Sequence, residues 1–210
     1  MSFMPRSAVE SSAYLAGDDI VEVDHPAVRA LGEQLRSRSS DDIDFTRRAF
    51  EWVRDEVAHS YDAQDPRVTL RASEVLEHRV GLCYAKSHLL AAILRGQGIP
   101  TALCYQRLSH GDRHVLHGLV AVDLDGVWRR QDPRGNRSDI SAEFSLGAER
   151  LAFPIDPRLG EIDYPDLHLV PARVVVDTLR RTTDILSIYD NGLPSELTRI
   201  DRPANRNGNA

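Results

Sequence analysis

Between Cys83 and Arg95 the chain is apolar on almost every side of a helical wheel. Ala85, Leu89, Leu90, Ala91, Ala92, Ile93 and Leu94 leave no continuous polar face, and such a helix is stable only when other elements surround it. Gly96 and Gly98 end it, and Pro100 forbids its continuation. From Thr101 onward the apolar period changes to that of a strand. Thr101–Leu108 and His114–Leu124 read as strands with a turn at Ser109–Arg113. Asp125-Gly126 then signals a tight hairpin into a third strand, Val127–Gln131. A buried helix followed by an antiparallel sheet, with more helices before it, specifies an α+β domain.

The flanking segments fit that frame. Asp24 is expected to cap a helix with Pro26 in its first turn and Val28, Leu31 and Leu35 on one face. A second helix is expected from about 42 to 58, with Phe50, Val53 and Val57 on one stripe and Phe45, Ala49 and Trp52 beside it. Tyr61–Thr69 reads as a loop and Ala72–His78 as a short helix. The stretch after Asp132-Pro133 is irregular to about residue 170, and Pro171 opens a last helix expected to reach about Tyr189. Residues 1–23 read as an N-terminal arm, 24–190 as one domain, and 191–210 as a tail disordered at its end.

Composition excludes several function classes. The net charge of −6 is spread along 210 residues without a basic block, which argues against nucleic acid as a partner. No stretch approaches the ~18 apolar residues of a membrane span. The two cysteines, Cys83 and Cys104, are too few for a secreted disulfide scaffold, and the N-terminus lacks a signal-peptide pattern. The expectation is a cytoplasmic protein.

Cys83 starts the buried helix directly behind Gly81. A cysteine attacks as thiolate, and both a helix N-terminus and a nearby imidazolium favour that anion. His117 supplies an imidazole. Pairing the second and third strands around Asp125-Gly126 places residue 134 opposite His117, so Asp132 is a diagonal neighbour able to orient the ring. Cys83, His117 and Asp132 therefore form a candidate Cys-His-Asp site for nucleophilic catalysis. The backbone amide of Cys83 is the natural oxyanion donor, with Tyr61 and Gln64, on the preceding loop, as candidates for the second. Tyr84, Trp128 and His114 are candidates to line the cleft, although Trp128 reads better as packing. Cys104 reads as core. His114 and His117 fall on opposite faces of a strand, and no second ligand cluster supports them, so no metal site is expected. No loop has the oxygen spacing of a calcium site, and the chemistry needs no organic cofactor.

The run from Ala72 to Pro133 resembles the transglutaminase-like superfamily of papain-like fold. The matching pieces are Ala72-Ser73-Glu74-Val75-Leu76, Gly81-Leu82-Cys83, Arg95-Gly96-Gln97-Gly98-Ile99-Pro100, His117, and Trp128 with Asp132-Pro133. The resemblance implies a nucleophile at the N-terminus of a buried helix: Cys83 as nucleophile, His117 as base and acid, and Asp132 as orienter. It implies amide chemistry through a thioester, on a peptide, protein or small amide, with water or an amine as acceptor. The family often follows the histidine with a small residue and a large aromatic, where this chain has Gly118-Leu119, so the resemblance covers the triad and leaves the substrate side of the cleft open. The alternatives are a biosynthetic acyltransferase working on a small molecule or carrier-bound thioester, and an inert binding module. No oligomeric state is implied.

Overall fold

The computed structural model describes residues 5–189 and 191–201. In chain order the elements are α1 (Pro26–Arg36), α2 (Asp42–Glu56), β1 (Ala58–His59), α3 (Ser60–Ala63), α4 (Ala72–His78), β2 (Val80–Gly81), α5 (Cys83–Gly96), β3 (Thr101–His110), β4 (Arg113–Leu124), β5 (Val127–Gln131), β6 (Ile162–Asp163) and α6 (Arg173–Arg181). The sheet is antiparallel in the order β5-β4-β3-β6, and β1 and β2 form a small parallel pair.

Helix α5 is the centre of the molecule. Every residue from Cys83 to Arg95 is buried, as its lack of a polar face requires. Around it, α1 contributes Val28, Leu31 and Leu35, α2 contributes Phe45, Ala49, Phe50 and Val53, and α4 contributes Ala72 and Val75. Leu103, Tyr105, Val120 and Val122 of the sheet complete this core. The other sheet face carries a second cluster of Ala102, Cys104, Leu119 and Ala121, covered by Tyr14 and Leu167. The two sets alternate along β3 and β4, as the pleat demands.

The hairpin β4–β5 turns at Asp125 (φ 57°) and Gly126 (φ 76°), the left-handed pair a type I′ turn needs. It pairs Val120 with Gln131 and Ala121 with Arg130, the register anticipated from the Asp-Gly position. β4 outlasts β5: residues 113–119 have β3 on one side and no strand on the other among the described residues.

Several boundaries differ from expectation. His25, not Asp24, occupies the N-cap of α1 and makes no side-chain cap, while Asp41 caps α2 through the Asp44 amide at 2.8 Å. The loop after His59 contains the turn of α3. α6 ends at Arg181 rather than near Tyr189, because the chain is pulled away: Ile185 donates its amide to the Pro66 carbonyl at 2.9 Å and is buried. Residues 5–23 are not free of the body, since Tyr14, Ile20 and Val21 are buried, Tyr14 on the outer sheet face. In the tail, Leu197 is in the core; the disorder expected at its end lies outside the described residues.

Candidate active site

Cys83 is the first residue of α5. Its position is set from behind by β2, where Gly81 pairs with His59 of β1. A side chain at Gly81 would press on Thr69 at 3.0 Å and on the Ala85 methyl at 3.1 Å, so glycine keeps the approach to the helix uncrowded. Leu82, at the N-cap, has no side-chain acceptor, so the first amides of the helix, at Cys83, are not capped by a side chain of that residue.

The unpaired edge of β4 runs alongside. The Gly118 amide donates to Cys83 Sγ at 3.4 Å. Gly118 must be glycine, because a Cβ there would lie 2.8 Å from the Tyr84 ring and 3.1 Å from the Tyr84 Cα. His117, only 4% exposed, stands between two partners. Its Nε2 donates to Asp132 Oδ2 at 2.8 Å, which leaves Nδ1 for the other side of the ring, and the Cys83 sulfur is close enough to act on its charge. Burial by itself works against the charged ring, but the Asp132 carboxylate and the Cys83 sulfur outweigh it and raise the His117 pKa to about 10.

Asp132 is fully enclosed. Burial opposes its charge, yet His117 and the amides of Ala152 and Arg134, both at 3.1 Å, hold its carboxyl below the usual range. The Ala152 amide is brought there because Gln131 bonds Ser145 in both directions, to its carbonyl at 2.8 Å and from its amide at 3.3 Å. The same loop sets Phe153 edge-on to His117, with ring centroids 5.0 Å apart.

These groups open onto a cavity of about 420 Å³ whose walls include Tyr61, Tyr84, Phe153, His110 and Tyr189. Of the residues expected around the cleft, Tyr61 lies on its wall, stacked on Tyr189 at 3.8 Å, and Tyr84 on its floor, its hydroxyl donating to the Leu116 carbonyl. Three do not reach it. The Gln64 side chain turns back to the Tyr61 carbonyl at 2.6 Å, because its own backbone sits in the left-handed region at φ 52°. Trp128 packs on the outer sheet face, edge-on to Tyr14 at 5.0 Å. His114 Nε2 is 2.9 Å from the Leu159 carbonyl, outside the cavity. Among the described residues no group of three or more His, Cys, Asp or Glu stands at metal-ligating positions.

Other residues complete the site. Gly118, a glycine inside a strand, carries a signal for close backbone approach. His59 is buried in the cavity wall, where burial and the nearby Arg134 guanidinium push its pKa well down, and its Nδ1 makes no hydrogen bond among the described residues, with Asp62 Oδ2 4.0 Å away. Lys86, one turn beyond Cys83, is buried and donates to the carbonyls of Arg54, at 3.2 Å, and Val57, tying the end of α2 to α5. Burial pulls its pKa down to about 7. Tyr189 had no signal, since nothing local in its segment marks it as part of the cavity.

The sequence matches the Transglutaminase-like superfamily over residues 29–133, half of the chain. No curated protein matches it. Among solved structures it resembles a candidate cysteine protease from Cytophaga hutchinsonii, at 15% identity and a TM-score of 0.51, over 60% of this chain and 43% of that one. It also resembles the periplasmic domain of TgpA from Pseudomonas aeruginosa, at 20% identity and a TM-score of 0.46, over 60% and 50% respectively. The chain thus spans no more than half the length of either structure, and the first likeness shows a common fold. Among the described residues no helix is long and apolar enough to cross a membrane.

Proposed function

The chain belongs to the transglutaminase-like superfamily, and from that premise we propose that it is a thiol enzyme breaking amide bonds through a Cys83 thioester. The observation that carries the reading is the convergence on one sulfur of a helix N-terminus, the Gly118 amide and a His117 ring bonded to Asp132. A protonated imidazole beside a thiol favours its anion.

In this reading Cys83 Sγ attacks the carboxamide carbon, forming the S–C bond, while the carbonyl oxygen takes the charge beside the Cys83 amide. Collapse breaks the C–N bond, and His117 passes its Nδ1 proton to the departing amine. His117 then takes a proton from water or a second amine as that group attacks the thioester, releasing the acyl product and the sulfur. Asp132 holds the ring and stabilises its charged form throughout. No step calls for a cofactor. The sulfur must stay reduced for this chemistry, and neither cysteine is paired.

The test uses 4-nitrophenyl acetate as a generic acyl donor and intact-mass spectrometry. Wild type and Cys104→Ala should each gain one acetyl group, mapped to Cys83, and Cys83→Ala none. Acetylation surviving in Cys83→Ala would remove the assignment.

A further inference from the structure

We propose that this site takes a compact amide with an apolar or aromatic acyl part, and excludes a polypeptide running through the cleft. The inference rests on the reading of Cys83 as nucleophile. It comes from what the C-terminal segment does to the open edge of β4.

An extended peptide would be held most simply by pairing with that edge, where residues 113–119 lack a neighbouring strand. The edge is already occupied. The Leu116 amide donates to the Pro194 carbonyl at 2.7 Å, the Leu116 carbonyl accepts from the Tyr84 hydroxyl, and the Gly118 amide is on Cys83. No backbone group at Leu116 or at the Gly118 amide remains to hold a substrate strand.

The same segment bridges the cleft from bank to bank. Tyr189 stacks on Tyr61 of α3 and stands edge-on to His110 of β3, with centroids 5.6 Å apart. Arg113 Nη2 grips the Tyr189 carbonyl at 3.1 Å. Leu193 adds an apolar contact to the same wall. Both ends of the strap are seated: Ile185 and Leu197 are buried in the core, and Asp201 accepts from the Arg173 amide at 2.6 Å and from Thr198. Cys83 itself is only 7% exposed. The space left, about 420 Å³, is that of a small-ligand pocket, and Leu82, Leu108, Leu116, Ile140 and Phe153 make most of it apolar.

Two chloroacetyl probes of identical reactivity, applied in a Cys104→Ala background, test this. One is a blocked diaminopropionate bearing the electrophile; the other carries the same residue in the middle of a long unstructured peptide. The small probe should label Cys83 at least about tenfold faster, since the peptide waits for the strap to open. Tyr189→Ala and, separately, Leu193→Ala should shrink that ratio by accelerating the peptide probe. Equal rates for both probes in the parent protein would overturn the proposal and leave Cys83 standing as nucleophile. Slow labelling by both probes, unchanged by His117→Ala, would overturn the nucleophile and the proposal with it.

Discussion

Cys83 and Cys104 are both buried in one small domain, yet their surroundings differ in kind. Cys104 lies on the outer sheet face among Tyr14, Ala102, Leu119, Ala121 and Leu167, and burial pushes its thiol up to about 12. Cys83 is nearly as enclosed, but it faces a helix N-terminus, a backbone amide and an imidazole whose charge Asp132 supports. Depth alone silences a thiol. In the proposed reading, the oriented donors and the compensated cation are what set Cys83 apart.

The sharpest way to break this contrast is to remove each sulfur in turn. Cys83→Ala should lower turnover by about 10³-fold or more, with little change in melting temperature. Cys104→Ala should leave turnover within about twofold and cost about 1 kcal/mol of stability from its small cavity. Comparable losses of activity would erase the distinction between the two sites.

Asp132→Asn tests the support of the imidazole and should cost about 10²–10⁴-fold in turnover, with Cys83 still present and the fold intact by circular dichroism. Gly118→Ala tests the close approach of β4 to the helix. Its methyl meets backbone at Tyr84, so about 1–3 kcal/mol of stability should be lost in denaturant unfolding. A neutral result there would show that β4 and α5 can separate freely.

The pH dependence of stability sharpens the comparison further. His117 has a folded pKa raised to about 10, above the roughly 6.5 of an unfolded histidine. Its contribution is therefore complete below about pH 6.5 and is lost as pH rises through about 10. The stability gap between wild type and His117→Ala should narrow over that window, measured by urea unfolding at stepped pH. A gap that widens with pH would mean the ring is neutral in the fold. The smallest effect belongs to Gln64→Ala, whose side chain only closes its own turn; activity should stay within about twofold, within the range of ordinary surface substitutions.

Local signals carried much of this molecule. The apolar run of α5 and the Asp125-Gly126 turn defined the central helix and the sheet register, and that register is what sets Asp132 diagonally from His117. Gly118 also carried a sign, a glycine inside a strand, that was open to reading. What stayed illegible depends on contacts between distant segments. α6 stops early because Ile185 is drawn to Pro66. Trp128 lies on the outer face because Tyr14 and Leu167 cover that side of the sheet. The strap through Tyr189 and Pro194 closes over the cleft by the Tyr61 stack, the His110 ring and hydrogen bonds from Arg113 and the Leu116 amide, none of which has a periodic signature in the chain.

The most direct measurement of the central claim is the rate of iodoacetamide alkylation at each cysteine between about pH 6 and 9, read by peptide mass spectrometry in wild type and His117→Ala. The account predicts that Cys83 is labelled far faster than Cys104 near pH 6, and that the advantage disappears without His117. Equal, slow labelling of both cysteines, or a Cys83 rate indifferent to His117, would contradict it.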